Sequence, residues 1–559
     1  MSGEERIDYL VVGAGPAGIQ AAYFLERAGR DYLVVEAGEA PGTFFTKFPR
    51  HRKLISINKV HTGWDDPELK LRTDWNSLLS EENSPLFTAV TPRYFPDADD
   101  LVGYLADFAA AHRLRIRCRT RITSISRPPA GDAEGPTGDG GSAGPAAQDA
   151  SAPSAAGEFV VRAEDGTVLR AKRLIMATGV SRPYIPRIEG AELAENYHEV
   201  SVDPAEFTGK RVLIVGRGNS AFETADNLIE TASVIHMAAP GSLRLAWQTH
   251  FVGHLRAVNN NFLDTYQLKS QNALLDGDIL SIKRDGEDGT YQVAVKFSRV
   301  AEVVKVISYD RVILATGFRF DASVFADECR PELTIKDRFP AQTDAWESTN
   351  VPDLFFAGTI TQVRDFKKST SGFIHGFRYG VRALHRILEQ RYHGRPWPRR
   401  ELPGTPQALA GAVIERVNRT SALWQLFAFL GDAVVIAEDG TVGYHEEVPV
   451  EHLHRAVGDG RFGPVDRYLT VTLEYGADHD KVNPFDVTVI RVSQQSTGGL
   501  DGRYLHPVVR LFQDGKQLAE HHITENLENE WDSESVHRAP LVGFLTKHLG
   551  PEDAAAGPA

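Results

Sequence analysis

Residues 7–36 read IDYLVVGAGPAGIQAAYFLERAGRDYLVVE. The apolar run IDYLVV leads into GAGPAG, and IQAAYFLERAG then carries apolar residues at helical spacing and stops at a glycine. DYLVVE is a second apolar run, so the order is strand, glycine turn, helix, strand. Gly13, Gly15 and Gly18 hold the G-x-G-x-x-G spacing. The first permits a tight turn, the second lets backbone approach a pyrophosphate, and the third lets helix and strand pack closely. The N–H groups at the helix start favour phosphate there. Glu36 stands eighteen positions after Gly18, at the end of the next strand, placed to accept hydrogen bonds from a ribose. The stretch predicts a dinucleotide-binding unit.

The same pattern returns at residues 211–229, RVLIVGRGNSAFETADNLI, where Gly216 and Gly218 open the turn and Asn219, Ser220 and Ala221 follow. The strand after it, SVIHM, ends without the acid that Glu36 supplies in the first unit. A carboxylate would repel a 2′-phosphate, so its absence favours NADP over NAD. His236 and Arg244 are candidate phosphate contacts. Two further strand ends read Ala-Thr-Gly, with Thr178 and Gly179 in one and Thr316 and Gly317 in the other. DLFFAGT places Gly358 and Thr359 at another strand end just before a helix. These small residues are the other candidate cofactor contacts.

The remaining organisation follows from composition. With 559 residues, 42% apolar and 24% charged, the chain is long enough for several domains with buried cores. Residues 1–200 with 310–395 read as the first nucleotide unit and 201–240 with 281–309 as the second. Residues 241–280 with 396–430 read as helical, and 431–559 as a strand-rich extension serving as a lid or an oligomerisation surface. Residues 128–157 are rich in Gly, Ala, Pro, Ser and Asp and read as a disordered insertion at a hairpin tip. The fold class expected is α/β, with two Rossmann-type units, a helical insert and that extension.

The formal charge of −14 is diffuse, which argues against a nucleic-acid partner. No apolar run approaches a membrane span. The chain enters its first strand within a few residues, which leaves no room for a signal peptide and points to the cytoplasm. Cys118 and Cys329 form no CxxC pair and read as free thiols, so redox chemistry must run through a bound cofactor. No cluster of metal ligands is apparent, and no metal is expected.

Two nucleotide fingerprints, two Ala-Thr-Gly exits and the late Gly-Thr strand end together resemble the two-dinucleotide-domain flavoproteins over about the first 390 residues. That resemblance implies FAD in the first unit and NADPH in the second. GNSAFETAD and FPDADDLVGYLADFA are similar to segments of class B flavin-dependent monooxygenases, and PGTFFTKFPRHRKLISINK puts Asn58 where those enzymes carry an active-site Asn. Their F-x-G-x-x-x-H fingerprint is not kept, since Gly190 and His198 lie eight positions apart, twice its interval.

A fuller likeness rests on FPRHRKLISINKVHTG, RTDWNSLLS, WQTHFVGHLRAVNNNFLDTYQLKS and RDFKKSTSGFIHGFRYGVRALHRIL. These runs resemble the ER flavoprotein associated with degradation and the bacterial amino-acid N-hydroxylases that turn L-aspartate into nitrosuccinate. The start of the chain and its EDAAAGPA ending favour the bacterial branch. The resemblance implies NADPH- and O₂-dependent hydroxylation of an amine through a C4a-hydroperoxyflavin, with Asn58 positioning NADP or the flavin edge. Its substrate would be a small acidic amino acid. A reductase acting on a partner-protein disulfide and a class B S- or Baeyer–Villiger oxygenase are the alternatives. Lys47, Arg50, Arg52 and Lys53 cluster after the first fingerprint, and Arg244, Arg256, Arg364, Lys367 and Lys368 lie in the other shared runs. Together they suit an electropositive pocket that clamps a dicarboxylate and the cofactor phosphates. Lys47, Arg50, Arg256, Arg364 and Lys367 are the substrate candidates.

Overall fold

The computed structural model describes residues 4–549 apart from 82–83, 129–156, 266–271, 286–288, 299, 301–302, 477–478, 490 and 494–503. The first sheet runs Ile116–Arg117, Tyr32–Val35, Glu5–Val12, Val168–Met176, with these four parallel. Val168–Met176 shares its other edge between two partners. Its first half pairs antiparallel with Phe159–Ala163, which pairs with Ile122–Ser126, and its last three residues pair parallel with Leu354–Phe356. The Gly-rich stretch at 128–157 connects two antiparallel neighbours and lies, but for its ends, outside the described residues.

The second sheet carries Asn272–Asp285, Val234–Ala239, Arg211–Val215, Arg311–Leu314 and Glu195–Asn196 in parallel, with Thr290–Phe297 and Val304–Tyr309 added antiparallel at one edge. Two expectations are corrected here. The segment 241–280 is not a helical part: its described residues hold only short helical turns, Ala246–Thr249, Ala257–Asn259 and Asn261–Thr265, and a strand begins at Asn272. Its apolar residues are too few per run to separate the two periodicities, and a bulge between Ile279 and Ser281 blurs the alternation further. Arg311–Leu314, expected in the first unit, pairs inside the second. The chain returns to the first unit through a two-stranded ribbon, Arg182–Pro183 with Phe318–Arg319.

The C-terminal region forms an antiparallel sheet in the order Arg400–Leu402, Val442–Pro449, Leu430–Ala437, Val465–Glu474, His506–Gln513, Lys516–His522. It is no detached extension. Val434, Leu469 and Leu511 share one continuous core with Phe24 of helix Pro16–Arg27, Leu384 of helix Ile374–His393 and Val413 of helix Pro406–Arg419.

A buried ionic network joins the same elements. The Arg416 guanidinium donates to Asp432 Oδ2 (3.0 Å), Glu68 Oε1 (2.6 Å) and Glu447 Oε1 (3.2 Å). Arg382 also donates to Glu447. Burial pushes the Glu447 carboxyl up, but Arg382, Arg386 and Arg416 outweigh it and hold it at about 2. Removing one member of such a cluster strands the others in a dry interior, at a cost of about 3–5 kcal/mol. Arg416→Met is therefore expected to lower the urea midpoint sharply. Arg399→Met, which breaks an exposed pair with Glu401, should cost under about 1 kcal/mol.

Candidate active site

The two fingerprints are built alike. Gly13 has φ +103°, and a Cβ there would lie 2.8 Å from Ala177 O; one on Gly18 would lie 1.9 Å from Gly13 O. Around Gly15, its chain neighbours aside, no atom of the described residues lies within 4 Å of such a Cβ, so the space beside the turn and in front of helix Pro16–Arg27 is free for a pyrophosphate. Glu36 accepts from Ala14 N and Gly38 N, both at 2.8 Å, which fixes its carboxylate at the turn with lone pairs to spare for ribose hydroxyls. Thr178 Oγ1 is buried without a partner among the described residues, and Gly179 is left-handed at φ +60°. Gly358 (φ +82°) crosses so close to the first helix that a Cβ would meet Ala17 Cβ at 2.6 Å. These residues fit FAD.

In the second unit Gly216 has φ +135°, with a Cβ position 2.3 Å from Ala315 O, and Gly218 faces open space. Arg217, inside the fingerprint but missed by sequence reasoning, bonds Gly241 O and Asp276 through Nη1 while its buried Nε and Nη2 have no partner among the described residues. Two orphaned donors beside an open glycine turn fit an anionic nucleotide.

Several expected contacts have side chains that are buried or already engaged within the protein. The Asn219 side chain is spent on the loop after residue 250, donating to His254 O (2.9 Å) and accepting from Arg256 N (3.0 Å). Ala221 is fully buried in the helix core, and Ser220 O accepts from Thr224 within the helix. Thr316 donates to Tyr184 O, and Gly317 (φ +88°) accepts from Tyr184 N at 2.8 Å, so both belong to the ribbon. Thr359 Oγ1 donates to Gly372 O (3.1 Å). His236 sits mid-strand with Nδ1 against Tyr309 Oη (2.7 Å), away from the phosphate end. Asn58 is buried, its amide donating to Thr91 O (2.7 Å), with Oδ1 unpartnered among the described residues.

The basic residues divide in the same way. Arg244, Arg364, Lys367 and Lys368 line one cavity of about 720 Å³ between the 241–254 loop, the 358–368 segment and the C-terminal sheet. Arg364 is already occupied by Gln342 O (2.9 Å) and Glu451, so it braces the wall and is not a free clamp. Arg50 is also corrected: it donates to His198 O (3.0 Å) and Val200 O (2.6 Å) and joins the two units. Lys47 is exposed on the short helix Thr43–Lys47, outside the cavity, and Arg256 lies over the Trp75 ring at 4.9 Å.

Arg244, Lys367 and Lys368 face the cavity with no carboxylate within 4 Å among the described residues. Lys367 is left-handed at φ +59°, a costly conformation held by its neighbour. Ser369 and Ser371 both donate to the buried Asp365 carboxylate, and Lys368 N donates to Asp365 O at 2.8 Å. Burial above all, and then the charges of Arg338 and Arg244, lower the Lys367 pKa. Sequence reasoning missed this Asp-Ser-Ser clamp, although the DFKKSTSG run carries its residues.

Residues 10–133 and 151–358 match the pyridine nucleotide-disulphide oxidoreductase family. The chain belongs to that family. It is similar to FAD-dependent oxidoreductase domain-containing protein 2 of Mus musculus, 38% identical over 586 residues covering 97% of this chain and 84% of the relative. The Danio rerio protein of the same name is 35% identical over 598 residues, covering 96% and 82%. A flavin-containing monooxygenase structure from Stenotrophomonas maltophilia is 19% identical, with a TM-score of 0.49, covering 69% of this chain and 98% of that one. This family member is a flavin-dependent oxidoreductase using FAD and NADPH.

Gly15 supplies a direct test. Gly15→Ala puts a methyl into space the protein leaves empty, so the apoprotein should keep its melting temperature while FAD affinity falls about tenfold or more. Flavin titration followed by fluorescence reads the difference.

Proposed function

We propose that the protein is an FAD- and NADPH-dependent monooxygenase that N-hydroxylates the amine of a small acidic amino acid, L-aspartate being the best fit, with successive oxidations toward nitrosuccinate. The observation that carries this reading is the cavity whose Arg244, Lys367 and Lys368 have no carboxylate counterpart among the described residues. Three of its acids are paired with cations, Asp344 with Arg455 beside His452, Glu451 with Arg364 and Glu474 with Arg510, while Asp365 is bonded by two serine hydroxyls and sets one negative charge against the three cations. A dianionic occupant completes the charge balance, and a monoanion does so less well.

FAD and NADPH, when bound, supply the reducing equivalents and the activation of O₂. Gly13, Gly15, Gly18, Glu36, Thr178 and Gly358 would hold the first, and Gly216, Arg217 and Gly218 the second. The chain itself binds and orients the substrate. Lys367 and Arg244 fix its carboxylates, and Phe427, Phe429 and Val450 of the C-terminal region give the cavity an apolar wall that limits water. Both cysteines are free thiols, Cys329 buried with Sγ donating to Ile125 O, so no dithiol of this chain is available to a flavin.

Purified protein incubated with NADPH, air and an amino-acid panel should give hydroxylamine, nitroso or nitro products with acidic substrates. Transfer from NADPH to a disulfide with no oxygenated product would reject the reading. Lys367→Met should raise the KM for L-aspartate about 10- to 100-fold, the range expected for losing a charged hydrogen bond, with NADPH oxidation little changed.

A further inference from the structure

Three histidines line the cavity, and they differ in what their ring nitrogens touch. His454 Nδ1 meets Tyr468 Oη (2.8 Å), and His479 Nδ1 faces Gly476 O (3.2 Å). His254 alone among them has a buried ring nitrogen, Nε2, without a partner among the described residues. Its other nitrogen, Nδ1, lies 2.6 Å from Thr249 Oγ1. That hydroxyl has one hydrogen, and it also lies 3.1 Å from Leu245 O, four residues back along the turn. Donating to the carbonyl leaves Oγ1 as an acceptor for an Nδ1–H, and Nε2 then carries a lone pair. The field selects the same tautomer: with Arg244 and Lys367 nearby, a lone pair at the orphaned position is favoured over an N–H.

The placement of this imidazole is fixed from behind. His254 O accepts from Asn219 at the start of the second-fingerprint helix, and Gly253 packs against Phe251 and Phe373 so closely that a Cβ there would meet Phe373 at 3.1 Å. His254 therefore stands between the NADPH turn and the cationic 364–368 segment.

Building on the N-hydroxylation reading above, we propose that His254 is the catalytic base of the reaction, taking a proton through Nε2 from the ammonium group of the bound amino acid. Amino acids arrive protonated, and only the neutral amine has a lone pair with which to bond oxygen. The balance closes without another reactant: R–NH₃⁺ + O₂ + NADPH gives R–NHOH + H₂O + NADP⁺. NADPH and the nitrogen each give two electrons, O₂ takes four, and the proton received by His254 leaves in the water formed.

In the ligand-free protein, burial, Lys367 and Arg244 lower the His254 pKa to about 4, so the ring is neutral and ready to accept. The charged and titratable groups lining the cavity with it are Arg244 from its own loop, Arg364, Asp365, Lys367 and Lys368 from the 364–368 segment, Asp344, and Glu451, His454, Glu474 and His479 from the C-terminal region; Asp344, Arg364 and Glu451 are held in ion pairs. Glu474 is paired with Arg510, and Asp365, bonded by serine hydroxyls, is outnumbered by Arg244, Lys367 and Lys368, so the net field is cationic. Two substrate carboxylates would cancel that field and make the base stronger only when the correct ligand is seated.

The FAD-loaded holoenzyme provides the test. Histidine ¹⁵N shifts, assigned by the loss of one signal in His254→Gln, should show Nδ1–H, and succinate, a dicarboxylate without an amine, should raise the titration midpoint of that ring. His254→Gln should keep its succinate affinity and NADPH oxidation within about threefold while N-oxidised product per NADPH falls about a hundredfold, within the range for a lost general base. Added imidazole should restore product in His254→Gly. An Nε2–H tautomer, or equal product yield in wild type and His254→Gln, overturns the assignment of His254 alone. A wild type that oxidises no amino-acid nitrogen overturns the function above and this inference with it.

Discussion

Three backbone crossings leave no room for a side chain, and the site is arranged around them. A Cβ on Gly13 would meet Ala177 O, one on Gly216 would meet Ala315 O, and one on Gly358 would meet Ala17. In the first two, an Ala-Thr-Gly strand end passes under a phosphate turn, so each unit fixes its exit relative to its own nucleotide site. The third presses the start of the 358–372 segment onto the first helix. Because Lys367 and Lys368 follow Gly358 on that same segment, the cationic wall inherits its position from the flavin turn.

Local chemistry was legible in the sequence and long-range partnership was not. Glycine spacing, Glu36 and the flanking apolar runs predict the nucleotide units because every relevant constraint lies within about thirty residues. The helical reading of 241–280 failed where the strand Asn272–Asp285 adds to the sheet, since a partner strand decides that conformation. The basic residues failed for a related reason. A guanidinium is available to substrate only if no carbonyl or carboxylate has taken its donors, and the takers of Arg50 and Arg364 lie far along the chain: Val200 for one, Glu451 for the other. Lys367 stays available because its own segment satisfies Asp365 with serines.

The acidic balance of the chain and the basic cavity are consistent with one another. Acids near the site are consumed in pairs, such as Glu474 with Arg510 and Asp344 with His452 and Arg455, and these pairs belong largely to the C-terminal region. That region therefore does more than close the cavity sterically. By neutralising its own carboxylates it adds no negative charge against Arg244 and Lys367, and its apolar face reduces the solvent that would screen them.

The joint between the units shows how this geometry is kept. Arg50 of the first unit donates its backbone N–H to Tyr197 Oη (3.2 Å), and Tyr197 donates in turn to Glu223 on helix Asn219–Leu228. Phe48 packs on both Tyr197 and Phe318 beside this chain of bonds, with ring centroids 6.0 Å and 5.2 Å away. Burial pushes the Glu223 carboxyl up to about 7, against the bond from Tyr197 and the charge of Arg50. A purely apolar joint could slide, whereas hydrogen bonds with fixed directions allow one orientation. The same helix carries Asn219 at its start, and Asn219 holds the loop of His254. One polar joint thus sets where the second nucleotide turn lies and where the proposed base meets its substrate.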